Sequence, residues 1–196
     1  MPSLDDCRRV LEEHKKKLDR IEDKKDMTIR YQFAIALQET DLLVPNAKVF
    51  VSHRFEHAEL HFKRCEEVFG AEFKEVGGVE MVRQKVDAGD PLFPVIIGSI
   101  RSCHFFLGIL MPGDNQPLGS WFMLEYGMAL ASGYEAANIA FVRDSDVKLE
   151  LLPQGMSTWA TPEFRDIDQF VELIKPVAHR FANEWRKRRL AVSVSV

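Results

Sequence analysis

The stretch Cys103–Gly133, CHFFLGILMPGDNQPLGSWFMLEYGMALASG, decides the fold. It opens with a run free of polar side chains, Phe105 to Met111, of a length that suits a buried strand. A turn-rich loop, Pro112 to Gly119, follows it. A helix is then predicted from Ser120, whose hydroxyl suits the unpaired N–H groups of a first turn. Trp121, Glu125 and Ala129 recur at a spacing of four and so share one face of that helix. Glu125 therefore stands one turn beyond an indole, among neighbours that are mostly apolar or small. A carboxylate so placed is paired, solvated in a cleft, or functional. Arg54, Arg101 and Arg143 are the available partners for the first case. The functional case is the expectation that the rest of the chain tests.

Outward from this unit, strand and helix patterns alternate. Pro45-Asn46 marks a boundary, and Ala47 to His53 (AKVFVSH) reads as the first strand. Its end runs into a polar loop, Ser52-His53-Arg54-Phe55-Glu56-His57, and Ala58 to Phe69 follows with amphipathic helical spacing. Ala71 to Val76 is expected to form a second short strand, closed by a turn at Gly77-Gly78. Val79 to Val86 is helical or extended, and Asp87 to Pro91 is loop. Pro94 to Cys103 reads as a helix with Pro94 in its first turn, and Ile96, Ile97 and Ile100 as its buried side. Beyond the central unit, Asn138 to Val142 gives a further strand and residues 143–165 read as loop. A last helical region runs from Ile167 past Trp185, with a kink or break expected at Pro176 and a frayed end over Ala191 to Val196. Alternation from residue 47 onward predicts a parallel sheet covered on both faces, a three-layer α/β domain over residues 46–190. The first 45 residues read as a helical extension. Leu4, Leu11 and Leu18 fall seven apart, interleaved by Cys7, His14 and Ile21, which suits a packed hairpin or a self-association arm.

Composition narrows the class. The 196 residues hold 46% hydrophobic and 29% charged side chains, ordinary for a globular domain that buries a full core. A formal net charge of −4 leaves no broad basic footprint for nucleic acid. The three cysteines, Cys7, Cys65 and Cys103, are widely spaced and form neither a disulfide framework nor a zinc pattern. No apolar run approaches the ~20 residues of a membrane span, and the charged first ten residues lack a signal-peptide core. A reducing, cytoplasmic location without membrane attachment is expected. His53 and His57 lie four apart but lack a third ligand at metal spacing, so no metal is expected. Cys103, at the head of an apolar strand, reads as a small core residue.

The order of these segments resembles a TIR domain, the module of Toll and interleukin receptor signalling and of NAD-cleaving immune proteins of plants and bacteria. The segments are KVFVSH, a helix ending IIGSIRSC, the strand FFLGIL, a Pro/Gly loop and SWFMLEYGMALASG. Ser120-Trp121 with Glu125 four residues on resembles the family segment in which the glutamate is needed for NAD cleavage. The resemblance covers about residues 47–175 and implies a flavodoxin-like sheet, NAD as substrate with no separate cofactor, and assembly into homo-oligomers in immune or phage-defence signalling. It makes Glu125 the catalytic residue. Ser52, His53, Arg54, Phe55, Ser120 and Trp121 become the substrate-binding set, with Arg54 for the diphosphate, Phe55 or His53 against a base, and Trp121 as a wall. Glu125-Tyr126-Gly127-Met128-Ala129 also resembles the Glu-x-Gly-x-Ala of nucleoside deoxyribosyltransferases, although Leu118-Gly119-Ser120 replaces the usual Asp-Gly-Thr. An NAD glycohydrolase or cyclase, a nucleoside N-glycosidase and a non-catalytic adaptor are the functions these resemblances imply.

Overall fold

Among the described residues five strands, all paired in parallel, form one sheet in the order β2-β1-β3-β4-β5. In chain order these are β1 (Ala47–Ser52), β2 (Val79–Val82), β3 (Phe105–Leu110), β4 (Ile139–Asp144) and β5 (Glu163–Phe164). Among the described residues the helices are α1 (Ala58–Phe73), α2 (Leu92–Arg101), α3 (Ser120–Ala131) and α4 (Ile167–Val194). This computed structural model describes residues 46–53, 58–83, 92–112, 120–148 and 161–194. The predicted N-terminal helices, the loop residues Arg54, Phe55 and His57, the loops 87–91 and 113–119, and the last two residues lie outside them.

Parallel strands need crossovers, and here those from β1 to β2, β2 to β3 and β3 to β4 each carry a helix, while α4 follows β5. Side chains at alternate strand positions serve opposite faces. Val49, Val51, Phe105, Leu107 and Ile109 pack with α1 and α4, where Phe69, Phe73, Phe181 and Trp185 complete an aromatic core. Phe50, Phe106 and Leu110 face the other way, onto α2 and α3, with Ile96, Ile100, Phe122 and Ala129. Every residue of β3 is buried, because it is covered above and below and flanked by β1 and β4. The result is the flavodoxin-like, three-layer α/β architecture.

Three local expectations are corrected. Residues 71–76 are not a strand: α1 continues to Phe73 and a 3-10 turn takes Lys74–Val76. Cys65, Phe69 and Phe73, four apart, prolong the buried helical stripe, and Gly77 then stops it in the left-handed conformation at φ 106°. The second strand is Val79–Val82, inside the segment read as either helical or extended. Within 143–165, β4 runs on to Asp144, and Glu163–Phe164 adds a fifth strand at the sheet edge. Phe164 is buried against Phe170, and Arg143 binds Glu163 across the pair at 2.5 Å. Finally, Pro176 does not split α4, and the helix reaches Val194 rather than fraying from Ala191. Pro176 faces solvent, as does Glu172, whose carbonyl the proline leaves without its helical donor.

A buried carboxylate at the strand ends

In the strand order 2-1-3-4-5 the chain reverses direction across the sheet between β1 and β3, and ligands of such sheets collect at the carboxyl ends of the strands there. Ser52 is the last residue of β1 and lies in register with Gly108 of β3. Like Phe50, it points to the α2/α3 face. A side chain at Gly108 would collide with α3 and with β4: its Cβ would come within 2.6 Å of Phe122 on the helix and 2.7 Å of Phe141 on the strand. The missing Cβ lets the Phe122 ring settle on the sheet, edge-on to Phe141 at 5.9 Å. One turn later on the same face, Glu125 arrives over the end of β1, and its Oε2 accepts a hydrogen bond from the Ser52 hydroxyl.

Glu125 is only 5% exposed. Burial lifts its pKa from 4.5 to about 7, with the Ser52 hydrogen bond pulling in the opposite direction. Among the described residues no lysine or arginine forms an ion pair with it. Arg143 is engaged by Glu163 and by the Val147 carbonyl, at 2.9 Å, and Arg101 is exposed at the end of α2. A paired, charge-neutralised carboxylate is therefore not what these residues build. The second carboxylate oxygen, Oε1, accepts no bond among the described residues.

The other expected site residues fall into separate groups. His53 follows Ser52 but turns to the opposite face, where its ring meets Phe62 of α1 at 6.0 Å. Ser120 and Trp121 open α3, one turn before Glu125, and the description of these two stops at the backbone. Arg54 and Phe55 lie outside the described residues. Two features escaped the sequence reading. Gly108 is the first, and an isolated glycine within an apolar strand is the signal that could have found it. The second is Arg83, just past β2, whose guanidinium lies 4.7 Å from the Phe62 ring centre and binds Glu59 at 2.5 Å. It had no signal, because its segment was not recognised as a strand ending at the same side of the sheet. A shallow groove at the β5 edge, lined by Glu163, Asp168 and Glu172, is acidic and suits no anionic nucleotide.

No protein-family model and no curated protein sequence matches the chain. Among solved structures it is similar to the Flv1 flavodiiron core of Synechocystis sp. PCC6803, at 11% identity and a TM-score of 0.46 over 82% of this chain. That match takes in 41% of the flavodiiron chain, so this chain spans about two fifths of its length. It is also similar to the TIR domains of the activated Roq1 resistosome that recognises the pathogen effector XopQ. There the identity is 14% and the TM-score 0.37, over 73% of this chain and 83% of that one. Among the described residues no helix is long and apolar enough to cross a membrane, and no group of three metal-binding side chains occurs.

Proposed function

We propose that the chain is an N-ribosyl-cleaving enzyme of the TIR type, with NAD as its substrate and Glu125 as its catalytic residue. One observation carries the reading: a carboxylate buried at the carboxyl end of β1, bonded to Ser52 and without an ion-pair partner among the described residues. The resemblance of Ser120-Trp121 and Glu125 to the NAD-cleaving segment supplies the substrate. In NAD the bond from ribose C1′ to nicotinamide breaks with its electron pair moving to the ring nitrogen. Nicotinamide thus leaves neutral and needs no general acid. Positive charge grows on the ribosyl C1′ and ring oxygen, and an ionised carboxylate in a poorly solvated site stabilises it strongly. Water then captures C1′ and releases a proton, giving ADP-ribose, or a nucleophilic nitrogen of the adenine does so, giving a cyclic product. Only the ionised form of Glu125 serves this role, so turnover rises as pH climbs through about 7. Assembly through residues 1–45 and the domain surface, in a cytoplasmic immune setting, is the context that the same reading proposes.

The test is nicotinamide release from NAD by the full chain at high protein concentration, beside Glu125→Ala. Release from the wild type that disappears in the variant is expected. Release that survives in the variant removes Glu125 from the chemistry. Silence of the wild type, with no rise of its Tm on adding NAD, removes NAD as the substrate.

A further inference from the structure

We propose that Ser52 is a positioning residue for Glu125: it anchors one carboxylate oxygen and so presents the other to the substrate. This rests on Glu125 being the acting carboxylate. The sequence reading places Ser52 among the groups that touch substrate, but the residue is 2% exposed and its hydroxyl is already given to Oε2. The two residues lie 73 positions apart and meet only because β1 and α3 converge at the reversal point of the sheet. Ser52 belongs to a strand fixed on both sides, by β2 through Phe50–Val82 and by β3 through Ser52–Gly108. Glu125 belongs to a helix whose height is set by Phe122 on Gly108. The hydroxyl thus removes the remaining freedom, that of the glutamate side chain itself, and does so from a rigid support.

The hydrogen bond has a second consequence. A donated O–H favours the ionised carboxylate, the form the chemistry needs. Among the described residues, no other charged or titratable group on the surrounding elements forms a hydrogen bond or ion pair with Glu125. His53 turns away from this face of β1, Tyr126 on α3 packs edge-on to Phe141, and Arg101 lies at the end of α2. Arg143 on β4 is bound to Glu163, and β3 has no titratable side chain.

The experiment compares Ser52→Ala, Ser52→Cys and Ser52→Thr with the wild-type chain. The Glu125 carboxyl is followed by carbon NMR across pH, its resonance assigned by its absence in Glu125→Gln, and kcat and KM for NAD are followed across the same range. Ser52→Ala is expected to move the Glu125 midpoint and the rising limb of the kcat profile to higher pH. Its kcat should fall about tenfold to a hundredfold, the range for a lost hydrogen bond to a charged group, while KM stays put. Ser52→Thr restores both, and Ser52→Cys, a weaker donor, falls between. An unmoved midpoint in Ser52→Ala, or a rise in KM alone, overturns the proposal. Should Ser52→Ala fail to fold, the ordering of the Thr and Cys variants decides the same question. Should the wild type cleave no NAD, the NMR midpoints still read the Ser52 contact, so failure of the substrate reading is told apart from failure of this one.

Discussion

Glu125→Gln should stabilise this protein at alkaline pH while abolishing its activity. In the folded chain the carboxyl titrates at about 7 instead of 4.5, because burial disfavours its charge more than Ser52 favours it. Between those values the native state holds a proton that the unfolded state has released, so stability falls as pH rises through the interval and levels off above it. Each tenfold change in acid strength is worth about 1.4 kcal/mol, which puts the charge penalty at ~3 kcal/mol near pH 8 and near zero below 4.5. Glutamine keeps the shape, and its carbonyl oxygen can accept the Ser52 bond while its amide takes the position of Oε1. The gain therefore approaches the full penalty at pH 8 and vanishes in acid. For a domain of this size, ~3 kcal/mol corresponds to a Tm rise of about 6–12 °C. Thermal unfolding of wild type and variant, followed by circular dichroism near pH 8 and near pH 4.5, measures it. Equal Tm values at the alkaline pH, or the same difference at both, would refute the reasoning, because the carboxylate would then be well solvated. A functional group that costs stability is what an active site built for charge stabilisation requires.

Other outcomes follow from the same packing. Gly108→Ala drives a methyl against the Phe122 and Phe141 rings, and overpacking of this kind costs about 1–3 kcal/mol. Because it also lifts α3 away from β1, nicotinamide release should fall with it; denaturant titration and turnover left at wild-type values would refute the seat proposed for Phe122. His104, at the head of β3, accepts a hydrogen bond from the Lys48 N–H at 2.9 Å and packs on Trp185 at 4.5 Å. Burial first, then Arg188 and Lys48, lowers its pKa from 6.5 to about 4. Its contribution to stability, ~3 kcal/mol, is full above 6.5 and is lost as pH falls toward 4, opposite in sign to that of Glu125. Nitrogen NMR of the ring should show a neutral imidazole down to about pH 5; a midpoint near 6.5 would refute it.

Much of this was legible in the chain itself. Phe105–Leu110 has no polar side chain, and such a run has few homes but the middle of a parallel sheet. Ala47–His53 and Asn138–Val142 also read as strands, and the spacing of Trp121, Glu125 and Ala129 put the carboxylate on one helical face with residues suited to a core. These are short-range patterns, carried by periods of two and of about 3.6 residues. They determined the fold class and singled out Glu125. The end of α1 was missed because Ala71, Phe73 and Val76, interspersed with Glu72, Lys74 and Glu75, fit either period over so short a stretch, and only the bed of α4 against Phe73 and Val76 decided it. β5, at two residues, is too short to carry any pattern and exists through its pairing with Arg143 and Asp144.

What the tertiary structure alone decided is which groups meet. Ser52 and His53 are neighbours in sequence and looked alike as site residues, yet strand geometry sends one to Glu125 and the other to Phe62. The contact that defines the site joins positions 73 residues apart. It depends on strand order, on the register of Ser52 with Gly108, and on a glycine that lets one helix sit low. None of these is a local property, since each arises when distant segments share one sheet.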